Sequence, residues 1–578
     1  MTYSFIRAAI GTAFYPRAHI LNISCVSIIF TAAVSLSSAS WAQQTIDQVE
    51  GRFDEARTPL SQPGRAIPKF DPLNPPPAAA EIHFQLNKVV VSGNTVISDQ
   101  VLQNLYAGLL GKRVSVSQIF GLANQITSLY GQHGYPLSRT IVPAQEIDGS
   151  GTIRLQVVEG FIDEVIVEGD AKTNPLIRRH SEAITAERPI SNKTLERNLL
   201  LSDDLPGISV QSVLKRSDDT FGGTTVVLDT KEDRPFEYRF TLDNRGSDAV
   251  GPYQLDFSVT ANNLIHQNSS TQLRLVNASL NRELLFATLE HKAVISPRGT
   301  TLSFGLKASR SEPGTLIFTD IELETQNTTA FIELRHPLIR SRNRNLEIYG
   351  LFEAKNSETV SLGTSLSEDR LRSLRFGMDF DSTDRRGGLN AISFEVSKGL
   401  TGFGANANSD PLNSREFGRV DYSKATLDIS RTQQLGFFNS DLAAWSVFGK
   451  AQAQFTGDAL MSSEECSIGG SDYGRAFDSS TLSGDRCYAA SLEVRYQSKW
   501  TGPADALQLY GFYDVGSISN LDADTTSDSV SLASAGLGAR FNFLKRYSGT
   551  VEIAKQLRNS GGGTDNDPRI FFSLSGEF

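Results

Sequence analysis

The residue types that carry catalysis in enzymes do not form a catalytic pattern in this chain. There is no Gly-x-Ser-x-Gly nucleophile elbow and no glycine-rich phosphate loop, and the three glycines at 561–563 are typical of a turn between strands. The seven histidines lack the paired spacing that metal ligands need. The acidic pairs at 203–204 and 218–219 are predicted to be solvated turns. The sequence therefore predicts no enzyme activity, no metal and no cofactor.

The cysteines offer the one clear opportunity for covalent chemistry. Cys25 lies in a predicted signal peptide, so Cys466 and Cys487 remain in the mature chain. In an oxidising compartment two such cysteines are expected to pair. Closing about 20 residues would stabilise the fold by roughly 3 kcal/mol if the effect is entropic. Two free thiols are the alternative.

Charge and the N-terminal residues restrict where the protein acts. A net charge of -10, without basic clusters, argues against nucleic acid as a partner. Residues 1–42 read as a signal peptide, with Arg7 and Arg17, an apolar stretch at 20–34, and a small-residue cleavage site ending at Ala42. An uncleaved membrane anchor is the alternative, but the apolar run is shorter than the roughly 20 residues that span a bilayer.

The next residues predict a short helix and a tether. Residues 43–58 carry Ile46, Val49 and Phe53 at spacings of three and four, which gives one apolar stripe on an amphipathic helix. Residues 59–83 are rich in proline, a composition that favours an extended, semi-rigid linker.

Residues 84–160 and 161–233 predict two copies of one small α/β module. In the first, a β-branched strand at 88–91 is followed by helices at 98–110 and 117–130 and by a closing strand at 152–158. The second repeats that order, with helices near 174–184 and 192–202 and strands near 209–216 and 224–230. The similar order predicts an internal repeat of about 75 residues.

Residues 236–578 alternate apolar with polar positions in segments of about ten residues. This pattern is typical of a transmembrane antiparallel β-barrel, and at roughly 20 residues per strand and turn it predicts about 16 strands. A secreted chain without a spanning helix can cross a bilayer only as a closed sheet. A soluble β-sandwich is the alternative. The alternation that runs to Phe578 favours the barrel.

Three short motifs in the first module carry a family resemblance. They are VVVSGNTVIS at 89–98, YGQHGYPLSRTIVPAQ at 130–145 and VVEG at 157–160. Their order and spacing resemble the first polypeptide-transport-associated (POTRA) module of two-partner secretion transporters, the TpsB family of haemolysin activation and secretion. The second module matches more loosely, and HPLIRSRNRNL at 336–346 resembles a strand and periplasmic turn of that family.

Two barrel motifs extend the resemblance to candidate site residues. GGSDYGRAFDSSTLSGD at 469–485 is similar to the family's inward-folded sixth extracellular loop, whose tip reads Val-Arg-Gly-Tyr/Phe. Here the tip is Gly474, Arg475, Ala476 and Phe477. Glycine replaces the expected valine and alanine the expected glycine, which would alter the tip if a positive φ is needed at position 476.

The second barrel motif, GFYDVGSI at 511–518, is similar to the family's Phe-x-Asp-x-Gly strand. Alternation places Phe512, Asp514 and Gly516 together on the lumen face, where a carboxylate avoids the cost of facing lipid. The resemblance then implies a charge-assisted pair between Arg475 and Asp514. A solvated arginine and an unrelated carboxylate are the alternative on spacing alone.

The resemblance implies an outer-membrane transporter with its POTRA modules in the periplasm. Its expected partners are a secreted exoprotein with an N-terminal secretion domain and the outer-membrane lipids, and the chain is expected to be a monomer. Residues 43–58 would then plug the barrel at rest, whereas a disordered leader is the alternative. A barrel-assembly insertase of the same superfamily and a passive porin are alternative functions.

Overall fold

A computed structural model of the 578-residue chain describes residues 53, 59–60, 72–247, 250–278, 283–499, 504–521, 529–560, 562, 565 and 567–578. The predicted signal peptide, the predicted helix apart from Phe53, and most of the linker up to residue 71 lie outside the described residues. Within the described part, no helix is long and apolar enough to cross a membrane.

The first module is a small sheet covered by helices. Its elements are β1 (His83–Gln85), β2 (Lys88–Ser92), α1 (Asp99–Tyr106), β3 (Arg113–Ser115), α2 (Val116–Gln132), β4 (Arg139–Ile141) and β5 (Thr152–Val158). The main sheet has the order β2-β5-β4, and β1 pairs with β3. Ser115 and Gln118 form a capping box that starts α2, and this helix buries Ile119, Ile126 and Tyr130 against the sheet.

One carboxylate joins all three module motifs. Glu159 accepts hydrogen bonds from the backbone N–H of Thr95 at 2.6 Å and of Val96 at 3.1 Å, and from the Tyr130 hydroxyl at 2.7 Å. Although partial burial acts in the opposite direction, these donors hold the pKa of Glu159 below its usual value. The ionised carboxylate therefore ties the turn after β2 to the end of β5.

Replacing Glu159 with Gln is expected to destabilise this module by about 1.5 kcal/mol, because hydrogen bonds to a charged group are lost. A depressed carboxyl pKa stabilises the fold above the unfolded-state pKa of about 4.3, and this contribution disappears as pH falls through the folded-state pKa. Hydrogen exchange of residues 88–98 should therefore accelerate in the variant at pH 7, and the difference should shrink below about pH 4. Equal exchange at pH 7 would contradict this role.

The second module repeats the arrangement. It contains β6 (Phe161–Gly169), α3 (Pro175–Ala186), α4 (Asn192–Asp203), β7 (Ile208–Arg216) and β8 (Gly223–Glu232), with the sheet order β6-β8-β7. The Asn174 side chain caps α3 by accepting from two backbone N–H groups, and Pro175 occupies the first helical position. The expected helices and strands are therefore present with ends within a few residues of the prediction.

The remaining chain forms one closed antiparallel barrel, in which the described residues supply 16 strands. The last strand (Arg569–Glu577) pairs with the first (Phe236–Asp243) and closes the cylinder, with Ser573 opposite Asp243 and Glu577 opposite Arg239. The predicted fold class and strand number are confirmed. The strands are β9 (Phe236–Asp243), β10 (Gln254–Asn262), β11 (Ser269–Ala278), β12 (Leu284–Val294), β13 (Thr301–Ser311), β14 (Glu324–Arg340), β15 (Arg344–Ser361), β16 (Thr364–Thr383), β17 (Gly388–Gly399), β18 (Ser423–Gln434), β19 (Trp445–Thr456), β22 (Arg486–Ser498), β23 (Ala504–Ser519), β24 (Val530–Phe543), β25 (Tyr547–Asn559) and β26 (Arg569–Glu577).

The two faces of the barrel differ in chemistry as alternation requires. Apolar side chains such as Tyr238, Leu509 and Tyr513 are 44 to 49% exposed on the outer surface, whereas Asp514 on the inner face is fully buried. Apolar groups outside and charged groups inside are what a bilayer selects in a barrel. The inner face therefore supplies the polar groups that can form a site.

The second module is docked onto the strand-connecting turns at one end of the barrel. Arg340, at the end of β14, donates two hydrogen bonds of 2.7 Å to Asp204. Arg197 of α4 donates to the carbonyl oxygens of Pro337 at 2.8 Å and Arg298 at 3.1 Å. Asp204 is exposed in a turn, as predicted, and docking also brings it an arginine from 136 residues away.

A buried histidine lies in the same interface. His180 of α3 is 2% exposed and its Nε2 lies 3.0 Å from the carbonyl oxygen of Pro297, in the turn between β12 and β13. Burial lowers the pKa of His180, so the ring is neutral at pH 7. The motif at 336–346 and the turn at 295–300 are thus the platform on which the module sits.

Candidate functional site

The loop between β19 and β22, residues 457–485, folds into the barrel and is called the folded-in loop. Two short strands, β20 (Cys466–Ile468) and β21 (Leu482–Gly484), pair within it. Ile468, Ala476 and Phe477 are at most 3% exposed, and they pack against the inner wall formed by β23 to β26. An apolar loop core inside a polar lumen fixes the position of the loop tip.

Arg475 at the tip makes a dense set of contacts with the barrel wall. Its Nε and Nη2 donate to the two carboxylate oxygens of Asp514 at 3.0 and 2.8 Å, and its backbone N–H donates to the same group at 3.0 Å. Nη1 donates to Glu493 at 2.6 Å and Nη2 to the Ser491 hydroxyl at 2.9 Å. The guanidinium is therefore held by a bidentate pair and two further acceptors while only 4% exposed.

The wall around Arg475 is an acidic cluster made of Asp514, Glu493 and Glu552. Glu552 lies 3.6 Å from Arg475 Nη1 and is paired with Arg245 at 2.5 Å. Glu493 is also paired with Arg495 at 2.6 Å and Arg540 at 3.0 Å. Glu493 and Glu552 therefore have further arginine partners, whereas the described ion pairs of Asp514 involve Arg475 alone.

At the loop tip, position 474 is the one whose backbone requires glycine. Gly474 has φ of +81°, and a Cβ there would lie 2.6 Å from Leu532 Cδ1. Ala476 is fully buried and is not among the residues with positive φ, so it needs no glycine. Its carbonyl oxygen accepts from Arg569 at 3.3 Å. The changed tip residues are thus compatible with an inward-folded loop.

The strand motif on β23 contacts the folded-in loop at each of its three positions. The Phe512 ring lies 3.6 Å from the guanidinium carbon of Arg475, which adds a cation–π contact to the ion pair. A Cβ at Gly516 would meet the Ile468 side chain at 2.7 Å, so this glycine allows β20 to pack on β23. The two sequence-predicted motifs are therefore in direct contact.

Cys466 and Cys487 are joined by a disulfide across the base of the folded-in loop, with their Cα atoms 6.3 Å apart. Thiol labelling of the unreduced, mature protein under denaturing conditions is expected to give no modified cysteine, and reduction should expose two. Labelling before reduction would show free thiols. Replacing both with Ser should lower stability by roughly 3 kcal/mol, because the unfolded chain then regains the conformational entropy that the disulfide had removed.

Glu493, Glu552 and Ser491 take part in the site without having been predicted from the sequence. Alternation from Asp514 predicts which residues of one strand face inward, but it does not predict which strands lie beside it. Ser491 is opposite Asp514 in the register of β22 and β23, and this register is decided by the whole barrel. The sequence signal that could have identified Glu493 and Glu552 is a charged residue at an inward-facing strand position.

Sequence comparison extends the match beyond these motifs. The family described as haemolysin secretion/activation protein ShlB/FhaC/HecB matches residues 222–541, and the ShlB-type POTRA domain matches residues 84–160. The heme/hemopexin transporter protein HuxB of Haemophilus influenzae (strain 86-028NP) is 24% identical, over 86% of this chain and 87% of that protein. The outer membrane transporter CdiB of Dickeya dadantii (strain 3937) is 24% identical over 83% and 85%.

Solved structures show the same fold. CdiB from Escherichia coli superposes with a TM-score of 0.70 at 18% identity, covering 94% of this chain and 98% of that one. BamA from Haemophilus ducreyi lacking POTRA domains 1–3 gives a TM-score of 0.50 at 13% identity. The protein is an outer-membrane transporter of the two-partner secretion type, with POTRA modules in the periplasm. The chain belongs to the ShlB/FhaC/HecB family of haemolysin secretion/activation proteins.

Proposed function

We propose that this transporter captures one unfolded exoprotein by its N-terminal secretion domain and threads it through the barrel without nucleotide hydrolysis. Strand β2 pairs only with β5 within the described first module, so its other edge can add an extended chain as a further strand. Main-chain hydrogen bonding at such an edge suits a client that has not yet folded. The proposal has the chain act as a monomer surrounded by outer-membrane lipid.

The folded-in loop is the proposed gate. The observation that carries this role is the buried, bidentate pair between Arg475 of the loop and Asp514 of the wall. A buried pair is costly to break on one side only, so the loop has a strong preference for one position. An approaching client would compensate this cost by its own contacts with the lumen.

The predicted helix at 43–58 is the proposed plug, and Phe53 supports that role. Phe53 is 7% exposed, its ring lies 4.9 Å from that of Phe286 on β12, and Arg274 donates to its carbonyl oxygen. Further along, the Leu60 N–H donates to Asp381 at 3.3 Å. A residue of the apolar stripe thus lies against the inner wall, and the proline-rich linker would permit its withdrawal.

Replacing Phe53 with Asp is expected to raise the time-averaged channel conductance of the purified protein in planar bilayers at least two-fold. A carboxylate cannot replace a ring buried beside Phe286 and Val276 without a desolvation cost, so the plug should leave the lumen more often. Phe403, which is 79% exposed, gives the matched control Phe403→Asp with unchanged conductance. Unchanged conductance in the Phe53 variant would remove the support for a plug.

The export function itself is tested by comparing the extracellular proteins of a deletion strain with those of its parent. Loss of one large secreted protein is expected, whether adhesin, cytolysin or contact-dependent toxin. Broad loss of outer-membrane barrels would instead indicate an insertase. An unchanged set of secreted proteins with reduced uptake of small solutes would indicate a porin.

A further inference from the structure

A second group of buried charges lies beside the base of the folded-in loop, in a different sector of the wall. Glu464 ends a short 3-10 turn, Ser462–Glu464, and its side chain is 1% exposed. Its two carboxylate oxygens accept from Arg375 of β16 at 2.8 and 3.1 Å. Lys424 of β18 lies 2.7 Å away and Lys355 of β15 lies 3.6 Å away. One loop carboxylate therefore contacts three cations on three strands.

The backbone of the same turn is held by the same wall. Lys424 Nζ donates to the carbonyl oxygen of Glu464 at 2.8 Å, and Gln454 of β19 donates to it at 3.3 Å. Lys355 donates to the carbonyl oxygen of Ser463 at 3.3 Å. Side-chain and backbone contacts thus fix one short turn against β15, β16, β18 and β19.

Removing Glu464 would affect Lys424 most. Arg375 is also paired with Glu353 at 3.1 Å and with Glu395 at 3.4 Å, so it keeps two carboxylate partners. In the described ion pairs, Lys424 contacts Glu464 alone, so without Glu464 its buried ammonium would be an excess positive charge. A buried, uncompensated charge is unfavourable, so the wall favours the loop position that supplies the carboxylate.

The base and the tip of the folded-in loop carry opposite charges and contact different sectors of the wall. Arg475 is a cation against the acidic cluster on β22, β23 and β25, whereas Glu464 is an anion against cations on β15, β16 and β18. If the loop turned so that Arg475 met the cations and Glu464 met the acidic cluster, like charges would lie together. This repulsion disfavours the reversed orientation of the loop. The loop position is thus specified at two places rather than one.

We propose that Glu464 is a second anchor of the folded-in loop, a positioning residue that fixes the loop base so that the Arg475 contact can hold the tip. Phe53 lies in another sector of the wall, beside Phe286 of β12 and Val276 of β11. The export readout rests on the gating role proposed above, whereas channel conductance measures loop position independently of any client.

The test is Glu464→Gln in the full chain, purified and inserted into planar lipid bilayers. The open fraction of the channel is expected to rise at least five-fold and export to fall about five-fold, while the folded barrel still migrates as a heat-modifiable band. Asp472→Asn is the matched control, because it removes the same charge from the same loop, and Asp472 is 71% exposed and paired with Lys450. Its conductance and export should stay within two-fold of the parent protein.

A second variant keeps the proposal falsifiable if Glu464→Gln assembles poorly. Combining it with Lys424→Met removes the excess positive charge, so the double variant should lie closer to the parent in open fraction than Glu464→Gln alone. Equal behaviour of Glu464→Gln and Asp472→Asn would overturn the proposal, as would a double variant no closer to the parent. Failure of both Glu464 variants to form a barrel would also overturn it, because the contact would then serve assembly rather than loop position.

Discussion

Replacing Arg475 with Ala is expected to reduce export at least ten-fold while leaving the barrel assembled. The change removes the cation from a site where Asp514 is fully buried and Glu493 and Glu552 are 3% exposed. Breaking one side of a buried pair costs about 3 to 5 kcal/mol, which is more than enough to shift a two-state loop by a factor of a hundred. The barrel strands keep their own hydrogen bonds, so assembly should persist.

The experiment compares secretion of the partner protein, barrel heat-modifiability and channel conductance in the same set of variants. Arg475→Lys retains the charge but loses the bidentate geometry. Its export should therefore lie between that of Arg475→Ala and that of the parent protein. Arg310→Gln is the control, because Arg310 of β13 is 54% exposed and pairs with Glu312 and Glu324, outside the folded-in loop. Export by the Ala variant at the parent's rate would refute the gating role, whereas loss of the heat-modifiable barrel would assign Arg475 to assembly.

Replacing Arg340 with Ala is expected to be the second strongest variant, with export reduced about five-fold. Arg340 is 7% exposed and donates to Asp204 of the second module and to Asn345 at 3.1 Å. Because Asp204 is 36% exposed, solvent screens the pair, and its loss should weaken docking by about 2 kcal/mol. A loosened module would present the client to the barrel in many orientations rather than one.

Docking can be measured separately from export. Hydrogen exchange of α4 should accelerate in Arg340→Ala, and Asp204→Ala should give a similar change. In the double variant the two effects should not add, because both remove the same contact. Arg344→Ala is the control, since Arg344 is exposed beside the same turn and its described hydrogen bonds to Ser341 are made by its backbone, which Ala retains. Additive effects of the Asp204 and Arg340 changes would mean that they act through different partners.

Local sequence patterns were sufficient to predict much of this architecture. The helices of both modules and the strand at 152–158 follow from periodicity and turn residues, since each depends on neighbours in sequence. The inward direction of Asp514 and the outward direction of Tyr513 follow from alternation alone. The pairing of Arg475 with Asp514 came from a resemblance, because no spacing rule connects residues 39 positions apart.

The contacts that decide the sites depend on which strands become neighbours. Asp204 reads as a solvated acidic residue until docking of the second module places Arg340 beside it. Glu464 reads as one of two adjacent glutamates in a loop until the curvature of the barrel brings Arg375, Lys424 and Lys355 around it. The sequence by itself determined the class of each segment and the face of each strand, because these depend on chemistry within a few residues. The tertiary structure alone decided which charges meet, because closing a 16-stranded barrel sets the register between segments far apart in the chain.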